Sequence, residues 1–356
     1  MHVSVSQDRG HDVDAVLARL GLGCLITTPG ARTWPGRNES WSGPTDEGFR
    51  VFVKRFAGPR EEAGQRMARS LAFERLVSGR LPGMAPRGLG WDEPGGVLVT
   101  EQVDDADRGC DLAAAGEFGT DLAFRVGRLV GALHGLAVTE PLPGGRRPVL
   151  PSSAFLRGLP LSVFAAASAG ELKAWRLMQR DEELAEAVDR LLAREERAPQ
   201  VPAHCDLRLD QFLLSGGRLY LTDWEEFRLA DAARDVGSFA GEWLYRAATG
   251  WADRVAPDEP PSHEVILRYC ADGIDRVRPV IAAFWSGYTR ARPGHDPELP
   301  ARAAAFAGWH LLDRMLAAAR GAVRLGAIYR AAAGVGRTAL RAPARSAATI
   351  GLGGCA

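Results

Sequence analysis

The chain has 356 residues, 46% of them apolar and 25% charged, with 44 basic and 44 acidic side chains. This is globular composition, enough for about two domains at roughly 150 residues each, and it needs no disulfide or metal staple to hold a core. The zero net charge argues against a whole-chain nucleic-acid binder, no run reaches the ~20 apolar residues of a membrane span, and the polar start MHVSVSQDRGHDVD does not read as a signal peptide. Five cysteines, odd in number and without a CxxC pair, exclude a disulfide framework or a cysteine-rich zinc site. They point to a reducing, cytoplasmic setting.

In chain order, residues 11–20 read as a short helix, followed by β-type runs broken by Gly and Pro. FRVFVKRF (49–56) alternates as a strand, 60–79 is helical, and VLVTEQV (97–103) is a short apolar strand. From 119 helix dominates: Leu122, Val126, Leu129, Val130 and Leu133 share one face. Helices are also expected over 180–197, 233–250, 263–290 and 299–334. QFLLSGGRLYLTDW (211–224) is the exception, a hairpin turning at Gly216–Gly217. The expected organisation is a small α/β lobe over 1–103, a linker over 104–118, a helical lobe over 119–345 carrying the hairpin, and a flexible tail over 346–356.

Only two of the 44 basic residues are lysines. Lys173 reads as a helix-surface residue. Lys54 sits inside a strand, where a compact ammonium does what an Arg fork does not. The densest polar cluster is AHCDLRLDQFLLSGGRLYLTDWEE (203–226). Counting back from the turn, Asp223 falls opposite residue 210 or 211. His204 and Asp206 lie in the loop entering the hairpin, and Gln211 and Asp223 meet where its strands end. Oxygen ligands converging at a strand end suit a hard cation such as Mg²⁺, and Asp206 on the adjoining loop is placed to act as a base.

His204-Cys-Asp206-Leu-Arg-Leu-Asp-Gln211, a hairpin, then Leu-Thr-Asp223-Trp-Glu resembles the phosphotransferase core of aminoglycoside and choline kinases, relatives of protein kinases. The resemblance covers about residues 20–245 and is specific over 203–240. It implies an α+β, bilobal protein-kinase-like fold: an N-lobe with a five-stranded antiparallel sheet and a helix, and a larger helical C-lobe. It implies ATP and Mg²⁺ as cofactors, Asp206 as the catalytic residue, and Asp223 with Gln211 as metal ligands. Gln211 stands where the family has Asn, and Asp210 is the alternative ligand. Lys54 matches the lysine on the α/β-phosphates. Its expected partner is Glu74, which shares a helix face with Met67 and Leu71 and would be costly there unpaired; Glu61 and Glu62 are weaker candidates. Gly36, Asn38, Ser40 and Gly43 match a phosphate-cradling turn, and the backbone of Glu101 and Val103 the adenine-binding hinge. His134, His204 and Asp235 match residues with structural roles.

For the acceptor, DLRLDQF together with the Trp309–Arg314 helix (WHLLDR) resembles the kinase component of class V lanthipeptide synthetases and the related thioamitide kinases. That implies phosphorylation of Ser/Thr in a precursor peptide, with a separate lyase protein eliminating the phosphate. Two other readings stay open: a kinase of a small alcohol such as an aminoglycoside or homoserine-like metabolite, and a nucleotide-binding pseudokinase scaffold. Neither nucleic acid nor membrane is an expected partner. After Asp313 come seven arginines and no acid. Such a field steers an acidic leader peptide; the competing reading is a solvated helical face.

Overall fold

Along β3, Val51 and Val53 are fully buried while Arg50, Phe52 and Lys54 point the other way, the period of two that the sequence carries. The computed structural model describes residues 7–26, 32–33, 37–77, 79–143, 153–250 and 262–353. Its elements begin α1 (Gln7–Arg19), β1 (Arg32–Thr33), β2 (Glu39–Pro44), β3 (Arg50–Arg55), α2 (Arg60–Val77), β4 (Gly88–Asp92), β5 (Val97–Glu101), β6 (Asp107–Arg108) and α3 (Gly109–Ala115). There follow α4 (Thr120–His134), α5 (Leu161–Ala166), α6 (Ala169–Gln179), α7 (Glu182–Arg197), β7 (Gln200–Ala203), β8 (Phe212–Ser215), β9 (Arg218–Leu221) and β10 (Arg228–Asp231). The chain ends in α8 (Ala233–Thr249), α9 (His263–Ala291), α10 (Leu299–Ala319), α11 (Ala327–Arg341) and α12 (Pro343–Ile350).

These elements form two compact units. The first takes the described residues up to Ala114, a short stretch from Val138, and Asp210–Arg228. Its antiparallel sheet has the order β1-β2-β3-β5-β4, with Val53 opposite Val99 and Lys54 opposite Leu98. One face, Val51, Val53, Val97 and Val99, packs on Val13, Val16 and Leu17 of α1. On the other side Leu98 joins Phe56 and Ala63, Met67 and Leu71 of α2. Lys54 therefore shares a sheet face with residues packed on α2. The β8–β9 hairpin belongs to this unit and not, as the sequence reading expects, to the helical one, because β8 pairs with β6 and the hairpin's contacts run to the sheet side. Gly216 and Gly217 both have positive φ (54° and 75°), the two-residue turn that matches strand twist. Phe212 faces Leu221, and Thr222 N–H donates to Gln211 O at 2.9 Å. This register places Asp223 opposite Asp210.

The second unit takes Ala115–Ala137, the described residues from Ser153 to Leu209, and the chain from Leu229. It is helical apart from the β7–β10 pair. α4 and α9 cross closely because glycines face backbone. A Cβ on Gly127 would collide with Phe284 O, and one on Gly287 with Phe124 O. In α7, Leu184, Val188 and Leu191 are buried on one stripe, and the Asp181 carboxylate caps the helix by accepting Leu184 N–H at 3.1 Å.

Three other expectations change. The single helix over 299–334 is two, because Gly321 leaves α10 in the left-handed conformation (φ 69°) and α11 restarts at Ala327. The expected linker over 104–118 holds β6 and α3. The stretch from 346 is not wholly a loose tail: α12 runs to Ile350, and Ile350 and Leu352 are 4% and 1% exposed. The basic C-terminal stretch is also less free than its composition implies. Arg337 pairs with Asp181 and Glu183, Arg341 with Glu183, and Arg314 with Asp313. Among the described residues no helix is long and apolar enough to cross a membrane.

Candidate active site

In the first unit the chemistry converges on the end of the β8–β9 hairpin. Lys54 Nζ ion-pairs with Asp223 Oδ1 and lies 2.7 Å from Glu225 Oε2. Gln211 Nε2 donates to the other Asp223 oxygen at 3.3 Å. Asp223 adopts φ 67°, one of three non-glycine residues with positive φ among those described. Such conformations persist where surrounding contacts hold them, often at functional positions. After it, a 3-10 turn over Trp224–Glu226 brings Glu225 back toward β3.

Glu225 is the hub. Besides Lys54 it accepts Arg37 Nη2 at 2.5 Å and Asn38 Nδ2 at 2.6 Å, and Arg66 Nη1 lies 3.8 Å away. Arg69 Nε donates to the Glu225 backbone carbonyl at 2.6 Å. Burial alone would raise the Glu225 carboxyl, but Lys54 and Arg37 outweigh it and bring it down to about 2. The residue is 7% exposed.

The expected Lys54–Glu74 pair is not formed. Glu74 points to β4, where a Cβ on Gly88 would sit 3.0 Å from its Oε2, and burial pushes its carboxyl up. The reason lies in α2. Its buried charged positions are Arg66 and Arg69, so the helix brings cations to this centre and the carboxylate comes from the hairpin. Asn38 is already engaged: its Oδ1 accepts Arg66 Nη1 at 2.6 Å and Ala57 N–H at 3.3 Å. Ser40 lies opposite Lys54 in the β2–β3 ladder. Gly36 lies outside the described residues. In the stretch after β5, Glu101 N–H is bound to Arg87 O at 2.9 Å, whereas Val103 makes no hydrogen bond among the described residues.

In the second unit, Asp206 follows a loop pinned from behind. The buried Asp235 carboxylate accepts the backbone N–H of His204 and of Cys205, each at 2.7 Å, and lies 3.0 Å from His134 Nε2. Burial opposes its charge, yet the His134 hydrogen bond, with His204, holds the carboxyl below its usual value. Cys205 has φ 65°. Asp206 N–H donates to His204 Nδ1 at 3.2 Å, and Arg208 Nε donates to Asp206 Oδ1 at 3.0 Å. His134 Nδ1 in turn meets Tyr288 Oη at 3.1 Å; burial pushes that phenol up to about 12. Past Asp206, Leu209 N–H approaches Glu242 Oε2 at 3.5 Å, and Glu242 Oε1 lies 2.7 Å from His310 Nε2.

The readings of the sequence alone missed Glu225, Arg37, Arg66 and Arg69. The signal was present as the second carboxylate in Thr-Asp-Trp-Glu-Glu and as arginines among the apolar positions of α2.

A family model described as "Phosphotransferase enzyme family" matches residues 40–280, more than half of the chain. The chain belongs to the phosphotransferase enzyme family. No curated protein matches the sequence. Among solved structures, amicoumacin kinase hAmiN in complex with AMP-PNP, Ca2+ and Ami is similar, with a TM-score of 0.57, 13% identity, and 94% of this chain and 93% of that one covered. A choline/ethanolamine kinase family protein from Mesorhizobium loti has a TM-score of 0.52, 17% identity, and covers 96% and 99%. A glucosamine kinase has a TM-score of 0.51, 17% identity, and covers 94% and 84%. At these identities the likeness concerns the fold alone, a kinase-like α+β one.

Proposed function

We propose that the chain transfers the γ-phosphoryl group of Mg·ATP to a hydroxyl. The observation that carries this reading is the Lys54–Asp223–Gln211–Glu225 cluster in a chain of the phosphotransferase family. Lys54 neutralises phosphate charge. Asp206 accepts or orients the acceptor hydroxyl proton, held by a loop whose backbone is fixed through Asp235. Transfers of this kind rest on positioning and electrostatics more than on covalent chemistry.

Among the described residues no group of three or more His, Cys, Asp or Glu forms a metal set. Mg²⁺ keeps several waters and takes one or two protein carboxylates plus substrate phosphates. The Asp223 carboxylate fits that demand; Gln211, whose Nε2 donates to Asp223, would offer its amide oxygen once the amide is turned over, and Asp210 is the neighbouring alternative. A bound Mg²⁺ supplies charge neutralisation at the phosphates. The N–H of Val103 serves adenine, with Glu101 offering its carbonyl, and the Asn38–Ser40 segment serves the phosphates.

For the acceptor we propose Ser/Thr of a ribosomally made precursor peptide, a separate lyase then removing the phosphate. The DLRLDQF and WHLLDR segments support this reading. The second reading, a small alcohol, is favoured by the three similar structures, an amicoumacin kinase, a choline/ethanolamine kinase family protein and a glucosamine kinase, and by the pairing of Arg337 and Arg341 with acids of the α6–α7 region. The test is one assay with Mg·ATP. A Ser/Thr-rich peptide encoded beside the gene competes with choline, glucosamine and an aminoglycoside, and mass spectrometry reads which gains a phosphate. Phosphate on the peptide alone supports the first reading, and phosphate on a small alcohol alone replaces it with the second.

A further inference from the structure

We infer that Glu225 is the residue that positions Lys54, the role expected of a carboxylate on α2. The inference rests on the phosphotransferase reading only in assigning Lys54 to phosphates; the pairing itself stands on geometry. Glu225 Oε2 is 2.7 Å from Lys54 Nζ, and Glu225 is 7% exposed. Four other groups fix its direction: Arg37, Asn38 and Arg66 around the carboxylate, and Arg69 on the backbone carbonyl. A buried carboxylate held on so many sides has little freedom to turn away, so an ammonium bound to it is placed as firmly as the turn itself.

The sign of charge along α2 supports the assignment. The helix face toward this centre presents Arg66 and Arg69, which cannot hold an ammonium, while Glu74 reaches β4. Lys54 also shares Asp223. Asp223 is the residue expected to serve the metal, so engagement there leaves Glu225 as the anion on Lys54. The segment Asp223–Glu225 thus carries both tasks two residues apart, across one 3-10 turn.

The full chain has two lysines, which makes the test direct. With ¹³C,¹⁵N-lysine labelling, the side-chain ε region holds one signal from Lys54 and one from Lys173, a built-in reference on α6. Glu225→Gln is expected to move the Lys54 signal and leave Lys173 in place; Glu74→Gln is expected to move neither. In turnover assays Glu225→Gln should lower kcat/KM for ATP by about 10²-fold, the usual effect of a misplaced catalytic group. Glu225→Asp should recover part of the loss, and Glu74→Gln should stay close to wild type. If Glu225→Gln does not fold, the smaller displacement expected in Glu225→Asp carries the test. A Lys54 signal that ignores the Glu225 substitutions, or follows Glu74→Gln, overturns the inference. Absence of phosphotransfer by the wild-type chain sinks the phosphotransferase reading instead, while the lysine spectra still decide the pairing.

Discussion

The indole of Trp224 stacks on the ring of Phe73, centroids 3.4 Å apart and planes 8° apart, and both rings meet Phe227 edge-on. Trp224 separates Asp223 from Glu225 in sequence, so the packing that buries it under α2 also sets the two carboxylates on Lys54. Trp224→Ala should cost about 3–5 kcal/mol of stability, the usual loss for a large buried aromatic. It should also loosen nucleotide binding, whereas Trp224→Phe keeps part of both. Denaturant titration beside a nucleotide-binding isotherm checks this; full ATP affinity in a destabilised Trp224→Ala chain would separate packing from the site.

Asp206 and Asp223 should fail differently. Asp206→Ala should lower turnover by ~10²–10⁴, the worth of a positioned acid–base group, with nucleotide affinity retained. Asp223→Ala should lose metal-dependent nucleotide binding. Isothermal titration with and without Mg²⁺ distinguishes them, and wild-type turnover in both variants rejects the assignment.

Gln211→Ala should raise the Mg²⁺ concentration needed for half-maximal activity, and Gln211→Asn should restore part of it, since the amide oxygen survives on a shorter stem. A Mg²⁺ titration unchanged by Gln211→Ala transfers the ligand role to Asp210 or to water.

Asp235→Ala removes the acceptor for the backbone N–H groups of His204, buried, and Cys205, part-buried, and the partner of His134. Leaving a buried donor without its acceptor costs about 1–3 kcal/mol. Unfolding free energy should drop by that order and turnover should fall with it. Asp235→Asn keeps an acceptor oxygen and should lose less of both.

The acid limb of stability should involve Glu225. Its carboxyl lies at about 2 when folded against an ordinary value of 4.5. A depressed carboxyl contributes stability that is full above the unfolded value and is lost as pH falls through the folded one. Stability should therefore decline from about pH 4.5 toward about pH 2, and Glu225→Gln should flatten that limb. Denaturant midpoints measured across this range decide it; an identical decline in Glu225→Gln assigns the limb to other carboxylates.

Much of this was legible in the residues. The alternation around Lys54, the Gly216–Gly217 turn and the spacing from Asp206 to Asp223 are local patterns, and local patterns survive reading in one dimension. The carboxylate for Lys54 was not legible, because its choice depends on where a 3-10 turn after a left-handed Asp223 sends the chain. The face count for α2 grouped Glu74 with Met67 and Leu71. It does not reveal that Arg66 is buried against Asn38 and Ala57, and Arg69 against Glu225 and Glu226 of the turn after the hairpin. The split between α10 and α11 turns on two residues, Arg320 with ψ 124° and Gly321 with φ 69°, in a stretch whose alanines favour helix on both sides.

The α4–α9 crossing carries a consequence for genetics. Gly127 and Gly287 each face the other helix's carbonyls with no room for a methyl group, and His134 sits at the end of that same α4, bonded to Asp235. A single alanine at either glycine wedges the helices apart and pulls on the anchor of the loop that bears Asp206. A selection for inactive mutants would therefore recover both glycines beside the acidic residues, although neither touches a reactant. Reversion of such mutants should restore the glycine itself, because the obstruction is backbone that no side-chain substitution on the facing helix removes.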